Sequence, residues 1–291
     1  MELLTHWIAS IPDFAVPYAL AALGLIIAER SGVLSLGAEG LMLVGALTAI
    51  GAQITFGATG VSLALAMLAA SAVSVLFAVM VVWLRINQVI AGLALVFFCQ
   101  GLTSLVGTLM DWTNAPVTSS GGAALAWITP LIFLGVVGFL MRTTAGLKLR
   151  AVGENPQAAD AAGISVSGWR FLAIVAGAAL VGLAGAYISL LSTKLWIAGM
   201  TGGRGWIAVG LVIFARWSPW KALAGALLFG CVEALIPQLA AAGVQLPQYF
   251  VLMTPYLITL GVMVWVAVGA RGGADAEPGA LGQPYVREER R

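Results

Sequence analysis

The sequence predicts an all-α, polytopic membrane protein, and three observations predict it. Of 291 residues, 61% are hydrophobic and 9% are charged, where a soluble domain carries about a quarter charged residues. Mean hydropathy is +1.01. Runs without Asp, Glu, Lys or Arg recur at Gly40–Leu84, Ile86–Met110, Trp112–Met141, Phe171–Thr193 and Ala234–Ala270, and most exceed the roughly 20 residues that cross a hydrocarbon core. A transmembrane barrel would instead show short alternating strands.

Nine membrane segments are read, at about 12–28, 36–54, 61–83, 88–110, 124–141, 167–192, 204–215, 220–238 and 249–269. The first begins with Pro12 and Pro17 near its start, where proline costs least. Glu2 and Asp13 stand where a secretory signal would be basic, so this segment is read as a span that stays. Gly-, Ser- and Pro-rich turns separate the others, at 56–60, 119–122, 202–203, 218–219 and 243–247. Alternating the sides puts 12 of the 14 Lys and Arg residues on one face and leaves Lys194 and Arg204 on the other. By the positive-inside rule the N-terminus is outside and the C-terminus cytoplasmic. The polar, Gly/Pro-rich tail 271–291 reads as disordered.

The stretch from Glu29 to Gly40 is the first place to look for function. It carries Glu29, Arg30 and Glu39 with Gly32, Gly37 and Gly40, between two strongly apolar segments. Charge and a broken backbone beside membrane-depth sequence are costly unless they line protein or water. Gly40-Leu-Met-Leu-Val-Gly45 has a counterpart in Gly205-Trp-Ile-Ala-Val-Gly210. Each follows a glycine-rich, charge-bearing loop, and the two run in opposite directions. An inverted repeat of four spans, one linker span (124–141) and four spans accounts for this, with halves at about 12–110 and 167–269. Small-residue helix packing is the rival reading.

Residues 142–166 form the longest internal loop. Asn155 is a good N-cap, Pro156 suits the first helical position, and Ala158, Ala159, Ala161 and Ala162 favour helix before Gly163 stops it. A helix of two turns is too short to persist alone. It is either an interfacial surface helix or a docking helix for a cytoplasmic protein.

At these residues the chain resembles a known family. "GENPQAADAAGI" (153–164) is similar to the cytoplasmic coupling segment of ABC-importer permeases of the branched-chain amino acid, ribose and nucleoside group. "AERSGVLSLGAEGLMLVGA" and "GRGWIAVGLVIFARWSPWKALAGALLFG" resemble the nucleoside (basic-membrane-protein) branch, and the likeness covers roughly 14–270. The resemblance implies a multi-pass permease domain over 1–270, in a bacterial plasma (inner) membrane, that moves nucleosides or related solutes by alternating access. It implies three kinds of partner: a cytoplasmic ABC ATPase, a second permease subunit of different sequence, and an extracytoplasmic solute-binding protein. ATPase coupling would fall on Gly153, Glu154, Asn155, Pro156, Ala158, Ala159, Ala162, Gly163 and Ile164. A permease for simple sugars or branched-chain amino acids is the alternative within the group.

The sequence fits a chain with no reaction of its own. No G-x-x-x-x-G-K-[ST] loop is present. His6 is the single histidine, which rules out a Ser-His-Asp set within the membrane segments and a histidine-rich metal cluster. No cofactor and no metal are expected. Cys99 and Cys231 read as small buried hydrophobes, and a net charge of +2 argues for no nucleic acid. Glu39, Gln88, Gln100 and Glu233 are the candidates for the solute pathway. Each has a rival role: Glu39 as an acidic first-turn residue of its own helix, Gln88 and Gln100 as helix–helix hydrogen bonders. Glu29 and Arg30 are either an interfacial pair or a gate. Trp196, Trp206, Trp217 and Trp220 are either an aromatic belt or a stacking surface for a base. A secondary transporter coupled to protons through Glu39 or Glu233, and a scaffold membrane protein, are the other function classes; neither needs a docking helix at 153–164.

Overall fold

The computed structural model describes residues 2–119, 122–241, 243, 253–254, 257–258, 260–261, 264 and 277–286. Ten α-helices run through them: α1 (Glu2–Glu29), α2 (Ala38–Phe56), α3 (Thr59–Ala78), α4 (Gln88–Leu109), α5 (Gly122–Arg142), α6 (Thr144–Glu154), α7 (Pro156–Ala161), α8 (Val166–Ala186), α9 (Arg204–Phe214) and α10 (Pro219–Ala241). α3 and α8 each continue into a π-helical turn, Val79–Trp83 and Tyr187–Thr193. Residues 253–254, 257–258, 260–261 and 264 are helical as well, and an isolated bridge joins Thr113 and Trp196.

Among the described residues, six helices are long and apolar enough to cross a membrane, and the bent pair Trp127–Arg142 and Thr144–Glu154, turning through 70°, raises the count to seven if it is one span. The chain is a multi-pass membrane protein. The first eight expected segments each have a helix, although α9 is only 11 residues long. The ninth, 249–269, lies largely outside the described residues.

Three local expectations change. α1 starts at Glu2, so Pro12 and Pro17 lie inside it rather than near its start. Neighbouring helices make this tolerable by re-satisfying freed backbone groups, and the early turns are tied to α10 where Trp7 Nε1 donates to the Cys231 carbonyl at 2.8 Å. The long loop holds two helices, because Thr143 accepts from the Gly146 amide and starts α6 before Asn155 starts α7. Residues 277–286 of the tail are not free: Pro278 and Ala280 are buried, for reasons given below.

Glycine sets the packing. A Cβ on Gly24 of α1 would strike the Gly177 carbonyl of α8, and one on Gly177 would strike the Gly24 carbonyl. α2 meets α8 in the same way at Gly45 against Gly182 and at Gly185 against Met42. Helices in lipid associate through such close backbone contact because apolar burial gives no drive there. α1 thus sits among α8, α9 and α10, while α3 lies along α8. The outer faces of α3, α4 and α5 present Leu68, Phe97, Phe98, Leu105 and Leu131.

Candidate functional site

Residues 30–37 do not simply cap α1 and start α2. After a turn at 30–32 they run inward without regular structure, and the Leu34 amide donates to Gln88 Oε1 at 2.6 Å. α2 then begins deep in the molecule: Gly40 abuts Val96 and Cys99, half-way along α4. Residues 194–203 enter from the opposite face through left-handed positions at Lys194, Gly199, Gly202 and Gly203. They bring the start of α9 to the start of α2.

The junction is made by one carboxylate. Glu39 Oε1 accepts from the Thr201 hydroxyl at 2.5 Å and the Gly203 amide at 2.9 Å, and Oε2 accepts from the Gly205 amide at 2.7 Å. Helix starts carry unpaired amides and partial positive charge, so the Glu39 carboxylate is an N-cap supplied from another helix. Gly205 is required for the approach, since its Cβ would meet the Glu39 backbone. From sequence, Glu39 is a solute-pathway candidate with a rival role in the first turn of its own helix; it does lie in the first turn of α2, and its oxygens accept from the start of α9.

A second carboxylate holds the same helix start from the other side. Glu233 on α10 accepts from the Tyr18 hydroxyl at 2.5 Å and pairs with Arg204 at 3.3 Å. Beside it, the Tyr187 hydroxyl donates to Asp13 at 3.0 Å. Glu39 and Glu233 are each 8% exposed, so neither points into open surroundings. A cavity of about 890 Å³ lies between α1, α5 and α10, lined by Asp13 and Lys194 together with Phe133, Trp127 and Trp220.

Interrupted helices that meet half-way along a bundle, with small residues at the contact, are a transporter's arrangement. The chain belongs to the branched-chain amino acid transport system / permease component family. The family model matches residues 8–267. The permease is 37% identical to a Haloferax volcanii protein provisionally named glucose ABC transporter permease protein TsgC13, over 92% of this chain and 94% of that one. It is 30% identical to the guanosine ABC transporter permease protein NupQ of Bacillus subtilis, over 95% of each. It is 28% identical to the nucleoside ABC transporter permease protein NupC of Lactococcus lactis, over 97% of each.

Of the four pathway candidates, the permease gathers Glu39 and Glu233 around α9 and leaves the glutamines elsewhere. Gln88 is buried and pins the first turn through Leu34, while Gln100 is exposed on α4. Sequence reading missed Tyr18, Thr201 and Arg204. Arg204 carried a signal, as one of two cations, with Lys194, on the poorly charged face. Glu29 and Arg30 do not pair with each other: the Trp217 indole donates to Glu29 at 2.5 Å and the Trp217 carbonyl accepts from Arg30 at 3.2 Å. Trp196 and Trp217 are buried rather than belt residues.

The coupling candidates lie together on the face that carries α6 and α7. Asn155 accepts from the Ala158 amide at 2.9 Å, and Pro156 occupies the first turn of α7. Gly163, at φ +80°, ends it. Ala159 turns inward onto Val152 and Val166, with Ile164 alongside. Glu154, Ala158 and Ala162 are exposed, and Gly153 is buried against the Arg30 carbonyl.

Proposed function

We propose that this chain is the membrane-spanning subunit of an ATP-driven importer for nucleosides, moving solute by alternating access at the junction of α2 and α9. The observation that carries this is the Glu39 carboxylate closing on the start of α9 half-way along the bundle. A closed polar joint between two interrupted helices opens when one half of the bundle moves against the other, which is what alternating access needs. The named functions of NupQ and NupC support nucleosides as the solute class. Glucose is the second reading, favoured by the 37% identity to TsgC13.

An inverted repeat supports the same reading. Gly40 and Gly205 lie 165 positions apart. The same shift carries the Ala15–Gly230 contact of α1 with α10 onto Leu180 and Leu65, within one turn of the Gly182–Ala66 contact of α8 with α3. The shift also leaves the Gly24–Gly177 pairing of α1 with α8 in register with itself.

The face bearing α6 and α7 is the cytoplasmic one in this proposal, with the N-terminus outside. The segment 153–164 docks in a groove of an ABC ATPase through Glu154 at the end of α6 and Ala158 and Ala162 around α7, while Ala159 anchors α7. A second permease chain and a solute-binding protein complete the complex. The test is uptake into vesicles holding the complete complex, with guanosine and glucose in competition. ATP-dependent guanosine uptake that glucose does not inhibit is the expected result; the converse selects the glucose reading. Uptake driven by a proton gradient without ATP would overturn the importer. In the same vesicles Ala159→Trp should leave ATP hydrolysis running while uptake falls.

A further inference from the structure

Residues 277–286 are chemically plain: Glu-Pro-Gly-Ala-Leu-Gly-Gln-Pro-Tyr-Val. They nevertheless bind three separate elements. The Ala280 amide donates to the Gly153 carbonyl at 2.9 Å, and the Gly279 amide donates to Glu154 Oε2 at 3.3 Å, which fastens the segment to the end of α6. The Gln283 carbonyl accepts from Arg170 Nη1 of α8 at 3.0 Å. Tyr285 packs on Val152, Ala159 and Val166, beneath α7. A Cβ on Gly32 would come within 3.2 Å of the Ala280 carbonyl and within 3.4 Å of Gly153 Cα, so the segment also closes over the turn between α1 and α2. A turn at 278–283 with Gly282 at φ +74° presents these groups.

Two features make this more than incidental contact. Arg170 is 2% exposed, and its Nε and Nη2 find no acceptor among the described residues. A buried guanidinium without acceptors is costly, so the Gln283 carbonyl is an acceptor the fold cannot easily lose. Gly153, the start of the coupling segment, touches the Arg30 carbonyl on one side and the Ala280 amide on the other. Arg30 in turn reaches Glu154 at 4.0 Å and the Trp217 carbonyl at 3.2 Å. The segment therefore lies across a joint whose other members are the end of α1, the turn before α2 and the end of α6.

We infer that residues 277–286 are an internal strap that clamps the α6–α7 loop to the α1–α2 turn, so that a displacement of the loop moves the approach to the Glu39 junction instead of being absorbed within the loop. The inference rests on the importer reading for the source of that displacement, while the docking itself does not. Without the strap, α6 keeps its contact with Arg30 through Gly153 but loses its fastening on the other side. The loop can then yield under load.

The test uses the full permease and the complete complex. Hydrogen exchange on the permease alone should show the Ala280 amide protected; exchange at the rate of an open peptide would overturn the docking. In vesicles, wild type is compared with Ala280→Pro, which deletes the donor to Gly153, and with a chain lacking 277–291. Solute moved per ATP hydrolysed should fall by about 2- to 30-fold, the range by which mutations change coupling between sites. An unchanged ratio in Ala280→Pro with the segment deprotected overturns the strap. Should the truncated chain fail to assemble, Ala280→Pro decides alone. Wild-type vesicles without ATP-driven uptake would defeat the importer reading, and with it the transmission role, while hydrogen exchange would still decide the docking.

Discussion

The turn at 30–37 and the turn at 194–203 do the same job with opposite chemistry. Each interrupts the bundle and delivers a helix start to its middle. The first is flanked by acceptors: the Glu29 carboxylate at the end of α1 takes the Trp217 indole, and Glu39 in the first turn of α2 takes three donors from the other turn and the helix it opens. The second supplies donors: the Thr201 hydroxyl, the amides of Gly203 and Gly205, and the guanidinium of Arg204. Their shapes differ accordingly. The first runs inward after a single glycine turn at Gly32, whereas the second is wound through four left-handed positions and laced to the segment before α5 by the amides of Asn114 and Val117. Neither half contains a satisfied site. The carboxylate of one is the cap of the other, so the joint exists only when the halves are together.

The change that should damage this joint most is Glu39→Ala. It strands two amides and a hydroxyl in a buried place, at about 1–3 kcal/mol for each donor. The melting temperature of the detergent-solubilised chain should drop steeply, and Glu39→Gln, which keeps one acceptor oxygen, should recover part of the loss. Equal melting of Glu39→Ala and wild type would mean the two turns are not joined through this residue.

Gly205→Val probes the same contact from the other turn. Its branched side chain would collide with the Glu39 backbone, and overpacking of this kind costs about 1–3 kcal/mol. Pairing it with Glu39→Gln in a double-mutant cycle should give a non-additive result, since the residues touch. Strict additivity would separate the two turns.

A smaller effect is expected at Glu233→Gln. The amide oxygen remains an acceptor for Tyr18, while the charge and the acceptor facing Arg204 are lost. Stability should fall less than in Glu39→Ala, while uptake changes, because Arg204 follows the Gly203 cap directly. Tyr18→Phe removes one hydrogen bond to a carboxylate, about 1.5–3 kcal/mol, less than the three donors stranded by Glu39→Ala, and leaves the Arg204–Glu233 pair at 3.3 Å in place. If Tyr18→Phe proves more harmful than Glu39→Ala, the weight of the joint lies on α1 and α10 rather than on the two turns.

Much of this was legible in the chain itself. The uncharged runs, the Asn155-Pro156 start and Gly163 stop of α7, and the paired glycine motifs at 40 and 205 all sit where local rules place them. The sequence also singled out Glu39 and Glu233 as costly charges. It could not name their partners. Tyr18 and Glu233 lie 215 positions apart, and Glu39 and Thr201 lie 162 apart. The tail reads as polar and Gly/Pro-rich by composition, and residues 277–286 are ordered by a carbonyl, a carboxylate and a guanidinium far away in sequence.

By itself, the sequence determined that this is a helical membrane protein, where most of its helices run, and which glycines and charges interrupt them. Those features follow from local composition: apolar length, backbone freedom and the cost of charge in lipid act on neighbouring residues. Only the tertiary structure decided that Glu39 caps α9, that Glu29 and Arg30 turn to Trp217 instead of each other, and that the tail closes on α6. Each of these is a donor meeting an acceptor far away in sequence, buried or part-buried in the Glu39 and Trp217 contacts. Burial obliges such groups to find partners without saying which, and that choice is made by the way α1, α2, α8 and α10 pack.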